Sequence, residues 1–88
     1  MAQSMGLTVR EKCLRQIAHE RCEAGELVNR APVKTWAGEG SGQRCSLCGE
    51  PIASSQVEYE VDVPDGEVLR TFRFHLLCHQ VWSVVATD

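Results

Sequence analysis

A chain of 88 residues with 43% hydrophobic residues, 24% charged residues and a formal net charge of −3 fits one domain, and its apolar content excludes wholesale disorder. At this length only about 60–65% of the unfolded surface is buried on folding, so an additional staple such as a metal ion is expected. Residues 1–44 carry seven Lys/Arg against five Asp/Glu (+2) and residues 45–88 two against seven (−5), a distribution without the basic footprint on which non-specific nucleic-acid affinity depends.

Met1–Arg10 contains no continuous apolar stretch of signal-peptide length, and no segment approaches the roughly 20 apolar residues of a membrane span. A soluble cytoplasmic protein is the expectation, with no membrane partner. Five cysteines is an odd number, and in a reducing compartment a Cys-x-x-Cys pair reads as metal or redox chemistry before it reads as a disulfide framework.

In chain order, Thr8-Val9-Arg10-Glu11 has the form of a capping box and opens a predicted helix from Val9 to about Ala24, with Gly25 as its left-handed terminator. Its apolar stripe of Val9, Cys13, Leu14 and Ile17 is narrow. Cys13 and Cys22 lie about half a helical turn out of phase, so they do not chelate one ion together and read as small buried or half-buried thiols. His19 reads as a solvated side chain. From Glu26 to Arg44 the periodicity stops, Pro32 breaks any helix, and Trp36–Gly42 reads as a glycine-rich linker. Trp36 is either a core plug or an exposed partner anchor, and the core is the expectation. The boundary falls here, between residues 1–42 (helix and linker) and residues 43–88 (metal module), the whole forming one compact domain.

Gln56–Val63 alternates strictly, with Val57, Tyr59, Val61 and Val63 on one face and the acids Glu58, Glu60 and Asp62 on a solvated one. Pro64-Asp65-Gly66 turns the chain into a return strand marked by Val68, Phe72 and Phe74. A two-residue Asp65-Gly66 loop would set Tyr59 opposite Phe72 and Glu58 opposite Arg73; a bulged turn would set Tyr59 against Thr71 instead, and the first register is expected. From His75 to about Ala86 the period becomes helical, with Leu77, Cys78, Val81, Trp82, Val84 and Val85 on one wide apolar arc. That arc needs more cover than a hairpin provides. Val9, Cys13, Leu14 and Ile17 are expected to pack on Leu77, Val81 and Val84, with Trp36 closing the edge. The alternative is an open surface serving a partner or the seam of a homodimer.

Cys45-Ser-Leu-Cys48-Gly49 is a turn whose glycine permits the tight backbone that aims amides at sulfur. His75-Leu-Leu-Cys78 places two further donors at i and i+3 in a first helical turn, where the helix dipole favours a thiolate at Cys78. Three sulfurs and one nitrogen suit a single structural zinc ion held by Cys45, Cys48, His75 and Cys78. His79 is an alternative to His75 or Cys78 as fourth ligand. A redox Cys45–Cys48 pair is a further alternative, opposed by the turn that Gly49-Glu50-Pro51 implies.

The succession of Cys-x-x-Cys knuckle, hairpin and helix with two more ligands resembles the treble-clef zinc fingers, and the ligand pattern is similar to the first half of a LIM domain, over residues 43–88 only. No cysteine follows Cys78 in this sequence, so the second zinc module of a LIM domain is not expected here. The fold class is therefore expected to be α+β, a treble-clef-like module preceded by an N-terminal helix and linker.

Four protein ligands leave no position for water or substrate, so the expectation is a non-catalytic binding or regulatory module with an unidentified protein partner, as monomer or homodimer. The Val57–Val63 strand carries no histidine of the kind treble-clef nucleases use. A nucleic-acid-binding or transcription-linked finger and a thiol redox sensor are the other two readings.

Overall fold

The computed structural model of the chain describes residues 9–87. Five elements follow one another: α1 (Val9–Glu23), β1 (Lys34–Glu39), β2 (Val57–Asp65), β3 (Val68–His75) and α2 (Leu76–Thr87). The strands form one antiparallel sheet in the order β1-β2-β3, so the architecture is α+β. No helix among the described residues is long and apolar enough to cross a membrane.

The capping-box residue Thr8 lies outside the described residues. At the other end of α1, Gly25 takes φ 79°, its amide donates to the Cys22 carbonyl at 3.1 Å and the Glu26 amide to the Arg21 carbonyl at 2.8 Å. This crossed pair satisfies carbonyls the helix leaves over, and its left-handed residue costs least when it is glycine.

The stretch read as a glycine-rich linker is corrected in part: residues 34–39 are strand β1, paired with β2 from Lys34 opposite Asp62 to Glu39 opposite Val57. Gly38 weakens strand propensity, but the backbone partner offered by β2 overrides it. Gly40 then fits because a Cβ there would collide with the Ala53 carbonyl. The Trp36 expectation is corrected for the same reason. Its partner is Glu60, so the indole lies on the acidic outer face of the sheet and is 48% exposed.

Both hairpin registers expected from sequence are displaced. Asp65 pairs with Val68, Val61 with Phe72 and Tyr59 with Phe74, which leaves Gly66 and Glu67 as the loop. Gly66 takes φ 65° at the first loop position, where a left-handed residue matches the strand twist. Relative to the favoured register the shift is two residues, so every side chain keeps its face, and bulky apolar groups meet across the strands.

Inside the sheet, Val61, Val63, Phe72 and Phe74 join Val81, Trp82 and Val85 of α2 in one core, with Leu14 and Ala18 of α1 and Leu27 beyond it. Trp82 stacks on Phe74 at 5.2 Å between ring centroids and donates its indole N–H to the Val28 carbonyl at 3.1 Å. Helix α1 thus covers α2, as the wide apolar arc requires, but through a different stripe. Leu14 and Ala18 are buried and Ile17 and Leu77 pack against the core, whereas Val9, Cys13 and Val84 face solvent. Helix drift explains the difference: the 14–17–18 cluster spans one face at i+3 and i+4, and Val9 and Cys13 fall off its side.

Candidate metal centre

Four side chains from two segments converge. Cys45 and Cys48 sit on the knuckle between β1 and β2, His75 ends β3, and Cys78 is in the first turn of α2. His75 was expected within that turn; instead it still pairs with Glu58 in the sheet, because the chain passes directly from extended to helical backbone at Leu76. The ligand spacing is unaffected.

The knuckle is a miniature hairpin. Arg44 and Pro51 bridge, the Cys45 amide donates to the Glu50 carbonyl at 2.9 Å and the Gly49 amide to the Cys45 carbonyl at 3.0 Å, with Gly49 at φ 81°. A side chain with a Cβ is strained in that conformation. The Leu47 amide, freed from backbone partners, points at the Cys45 sulfur at 3.4 Å. Two anchors fix the knuckle against the rest of the fold: Ser46 exchanges bonds with Arg73, its amide to the Arg73 carbonyl at 2.6 Å and its hydroxyl accepting the Arg73 amide at 3.0 Å, and Arg21 of α1 donates to the Leu47 carbonyl at 2.7 Å. Leu47 and Ile52 are fully buried beneath it.

The four donor atoms all lie within 4.8 Å of one another. His75 Nδ1 is 3.4 Å from Cys48 Sγ and 4.0 Å from Cys78 Sγ. A tetrahedral zinc site with its usual bond lengths separates sulfur from nitrogen by about 3.5 Å and sulfur from sulfur by about 3.8 Å, so the cluster, somewhat wider, is compact enough to hold a metal ion. His75 Nε2 lies 3.1 Å from the Pro51 carbonyl oxygen. A carbonyl only accepts, so Nε2 carries the proton and the lone pair of Nδ1 is left facing the sulfurs.

Electrostatics at the cluster favour a cation. Cys45 is held down to about 4, first by the hydrogen bond from the Cys78 thiol, against its own burial, and then by the amides of Cys48, His75 and Leu47. Cys78 is pushed up by that same bond and by burial, and burial is the leading cause that pushes up Cys48. One thiolate is therefore accommodated at the expense of the other two. A divalent ion would remove that conflict and let all three sulfurs ionise.

The remaining candidates lie elsewhere. The His79 ring stacks on Tyr59 at 4.3 Å with 13° between planes and is not among the four clustered donors; burial lowers its pKa. Cys22 is half-buried as expected, but Cys13, expected buried or half-buried, is exposed because it falls off the side of the packed face of α1; neither belongs to the group. Glu58, expected on the solvated face, is 7% exposed; it accepts the Ser41 amide and hydroxyl at 2.8 and 2.7 Å and pairs with Arg73 Nε at 3.3 Å. Sequence reasoning missed Pro51, Ser46 and Arg21 as supports, since each acts by a long-range contact with no local pattern. An open groove of about 610 Å³ runs past the cluster, lined by Arg10, Cys48, Pro51, His75, Leu76 and others.

Comparison of the chain with protein-family models, with curated proteins and with solved structures found no match.

Proposed function

We propose that this chain is a non-catalytic module organised by one structural zinc ion on Cys45, Cys48, His75 and Cys78, and that it works by binding another protein. The observation that carries the metal reading is the hydrogen bond from His75 Nε2 to the Pro51 carbonyl, which leaves Nδ1 toward the sulfurs in a group of four donors within 4.8 Å of one another. Three thiolates and a neutral imidazole are a soft donor set suited to zinc. The knuckle, hairpin and helix that carry the ligands support a treble-clef-like description.

The non-catalytic reading rests on coordination. Four chain donors complete a tetrahedron, so the neighbouring groove would meet ligand atoms only from outside, with no position for an activated water. Thiolate ligands persist in reducing surroundings, which fits a cytoplasmic setting. Protein binding is favoured over nucleic acid because the outer sheet face carries Glu60 and Asp62 beside an exposed Trp36, and such a face lacks the basic footprint a phosphate backbone needs.

Native mass spectrometry and elemental analysis of the purified chain test the metal. One zinc per chain is expected. A metal-free mass with an unchanged folded NMR spectrum in chelator would reject it.

A further inference from the structure

The two edges of the sheet are finished differently. β3 is covered: Ser46 bonds to both backbone groups of Arg73, and the Arg70 guanidinium reaches the Gly25 and Glu26 carbonyls at 2.9 and 3.3 Å. β1 is open. All six of its residues are exposed, its register with β2 is continuous, and among the described residues no strand lies beyond it. Edge strands are ordinarily guarded by proline, bulges or inward charges. Here the guards sit at the two ends: Lys34, drawn over the Trp36 ring at 5.4 Å, with the Val33 amide also bonded to the Asp62 carbonyl at 2.9 Å, and Glu39 at the other end, while the middle of the strand, Thr35–Gly38, carries no charge or proline.

The Gly40 amide donates to the Gln56 carbonyl at 2.9 Å. Carrying the antiparallel alternation inward from that bond directs the backbone groups of Lys34, Trp36 and Gly38 to β2 and those of Thr35, Ala37 and Glu39 outward. The outer face of β1 also has a shape. A notch of about 170 Å³ is walled by Trp36 and backed by Glu39, Glu58 and Glu60, with Gly38 among its lining residues. A Cβ built on Gly38 meets nothing within 4 Å, so the notch exists because that side chain is missing. Two of the carboxylates share one guanidinium, Arg73, with Glu58 at 3.3 Å and Glu60 at 3.6 Å, and Glu58 is buried while Glu60 is half-buried.

The geometry points to a basic, extended segment of a partner protein that adds to β1 as a fourth strand and lays a lysine or arginine side chain over Gly38, against Trp36, with its charge at Glu60. Main-chain bonds to Thr35, Ala37 and Glu39 would supply affinity, and the notch would supply selectivity through cation–π contact and charge. This rests on the protein-binding reading above and gives that reading a surface and a partner chemistry.

The test is an amide NMR titration of the full chain with a capped heptapeptide of alternating lysine and threonine, beside the same peptide with glutamate for lysine. Saturable shifts centred on residues 34–39 are expected with the lysine peptide alone. Gly38→Val fills the notch without touching the fold, and Trp36→Ala removes its wall; each should weaken binding roughly tenfold or more, with zinc content and the rest of the spectrum unchanged. Shifts away from β1, equal binding of the glutamate peptide, no saturable shift, or undiminished affinity in Gly38→Val would overturn the inference. So would β1 shifts that follow protein concentration without peptide, which would assign the edge to a second copy. Zinc measured on the same sample keeps the two readings apart. A metal-free chain sinks the zinc reading and leaves the titration decisive, whereas a zinc-loaded chain indifferent to the lysine peptide sinks this one alone.

Discussion

His75 and His79 are four residues apart on the chain and do different work because of what each ring meets. His75 donates Nε2–H to Pro51 and presents Nδ1 to Cys48 and Cys78, while His79 is stacked on Tyr59. Cys45→Ser, Cys48→Ser, Cys78→Ser and His75→Ala are each expected to abolish tight zinc binding, and Cys13→Ser, Cys22→Ser and His79→Ala to retain it, as measured by competition with a chromogenic chelator. Loss of metal in His79→Ala with retention in His75→Ala would show the assignment to be wrong. Glu58 offers a second measurement. Burial opposes its charge, but the Ser41 hydroxyl and amide and the Arg73 guanidinium outweigh burial and hold its pKa below the ordinary 4.5. A carboxylate with a depressed folded pKa contributes stability that is present above its ordinary value and lost as pH falls through the folded one. Glu58→Gln is therefore expected to be less stable than the wild type near neutrality, by roughly 1–3 kcal/mol for a buried, multiply bonded carboxylate, and the gap should close below pH 4.5. A gap in urea unfolding that stays constant with pH would contradict this.

Helix α1 has a narrow apolar face and depends on its partners for stability. It contributes Leu14 and Ala18 to the core and Arg21 to the knuckle, so it supports the candidate metal site as well as α2. Leu14→Ala is expected to cost about 2–4 kcal/mol by cavity formation, whereas Val9→Ala, on the exposed side, should change stability by less than about 0.5 kcal/mol. Deleting residues 1–30 removes Leu14, Ala18, Leu27 and the Val28 acceptor of Trp82 together; the truncated chain should unfold at lower denaturant or self-associate. A truncated chain as stable and monomeric as its parent would mean that α1 is not part of the core. In the following segment, Gly40→Ala would drive a Cβ into the Ala53 carbonyl and should detach the end of β1, visible as faster amide exchange at residues 36–39.

At the scale of the molecule, the proposed ion joins the knuckle, the end of the sheet and the start of α2, and α1 rests on two of these. Zinc binding to a module this small is folding free energy, on the order of 10 kcal/mol. Chelation is accordingly expected to unfold the C-terminal half and to loosen α1 with it, in one transition by circular dichroism and by Trp82 fluorescence. Retention of the folded signal after complete metal removal would mean that the apolar core is sufficient alone.

Local chemistry made much of this legible without coordinates. The donor set Cys45, Cys48, His75 and Cys78, the α1 terminus at Gly25, the alternation of β2 and the apolar arc of α2 each follow from short-range periodicity or spacing, which neighbouring residues determine. What only the tertiary structure decided depends on partners distant in sequence. β1 forms because β2 offers it backbone bonds, despite Gly38 within it. Trp36 faces outward because it stands opposite Glu60, and Glu58 is buried because Ser41, 17 residues away, closes over it. The hairpin register moved by two residues because the left-handed position of the loop fell to Gly66 at its start, and an even shift leaves no trace in a hydrophobic pattern of period two. The orientation of His75, finally, is set by a proline carbonyl 24 residues upstream, a main-chain group that every residue carries and that no side-chain pattern can mark.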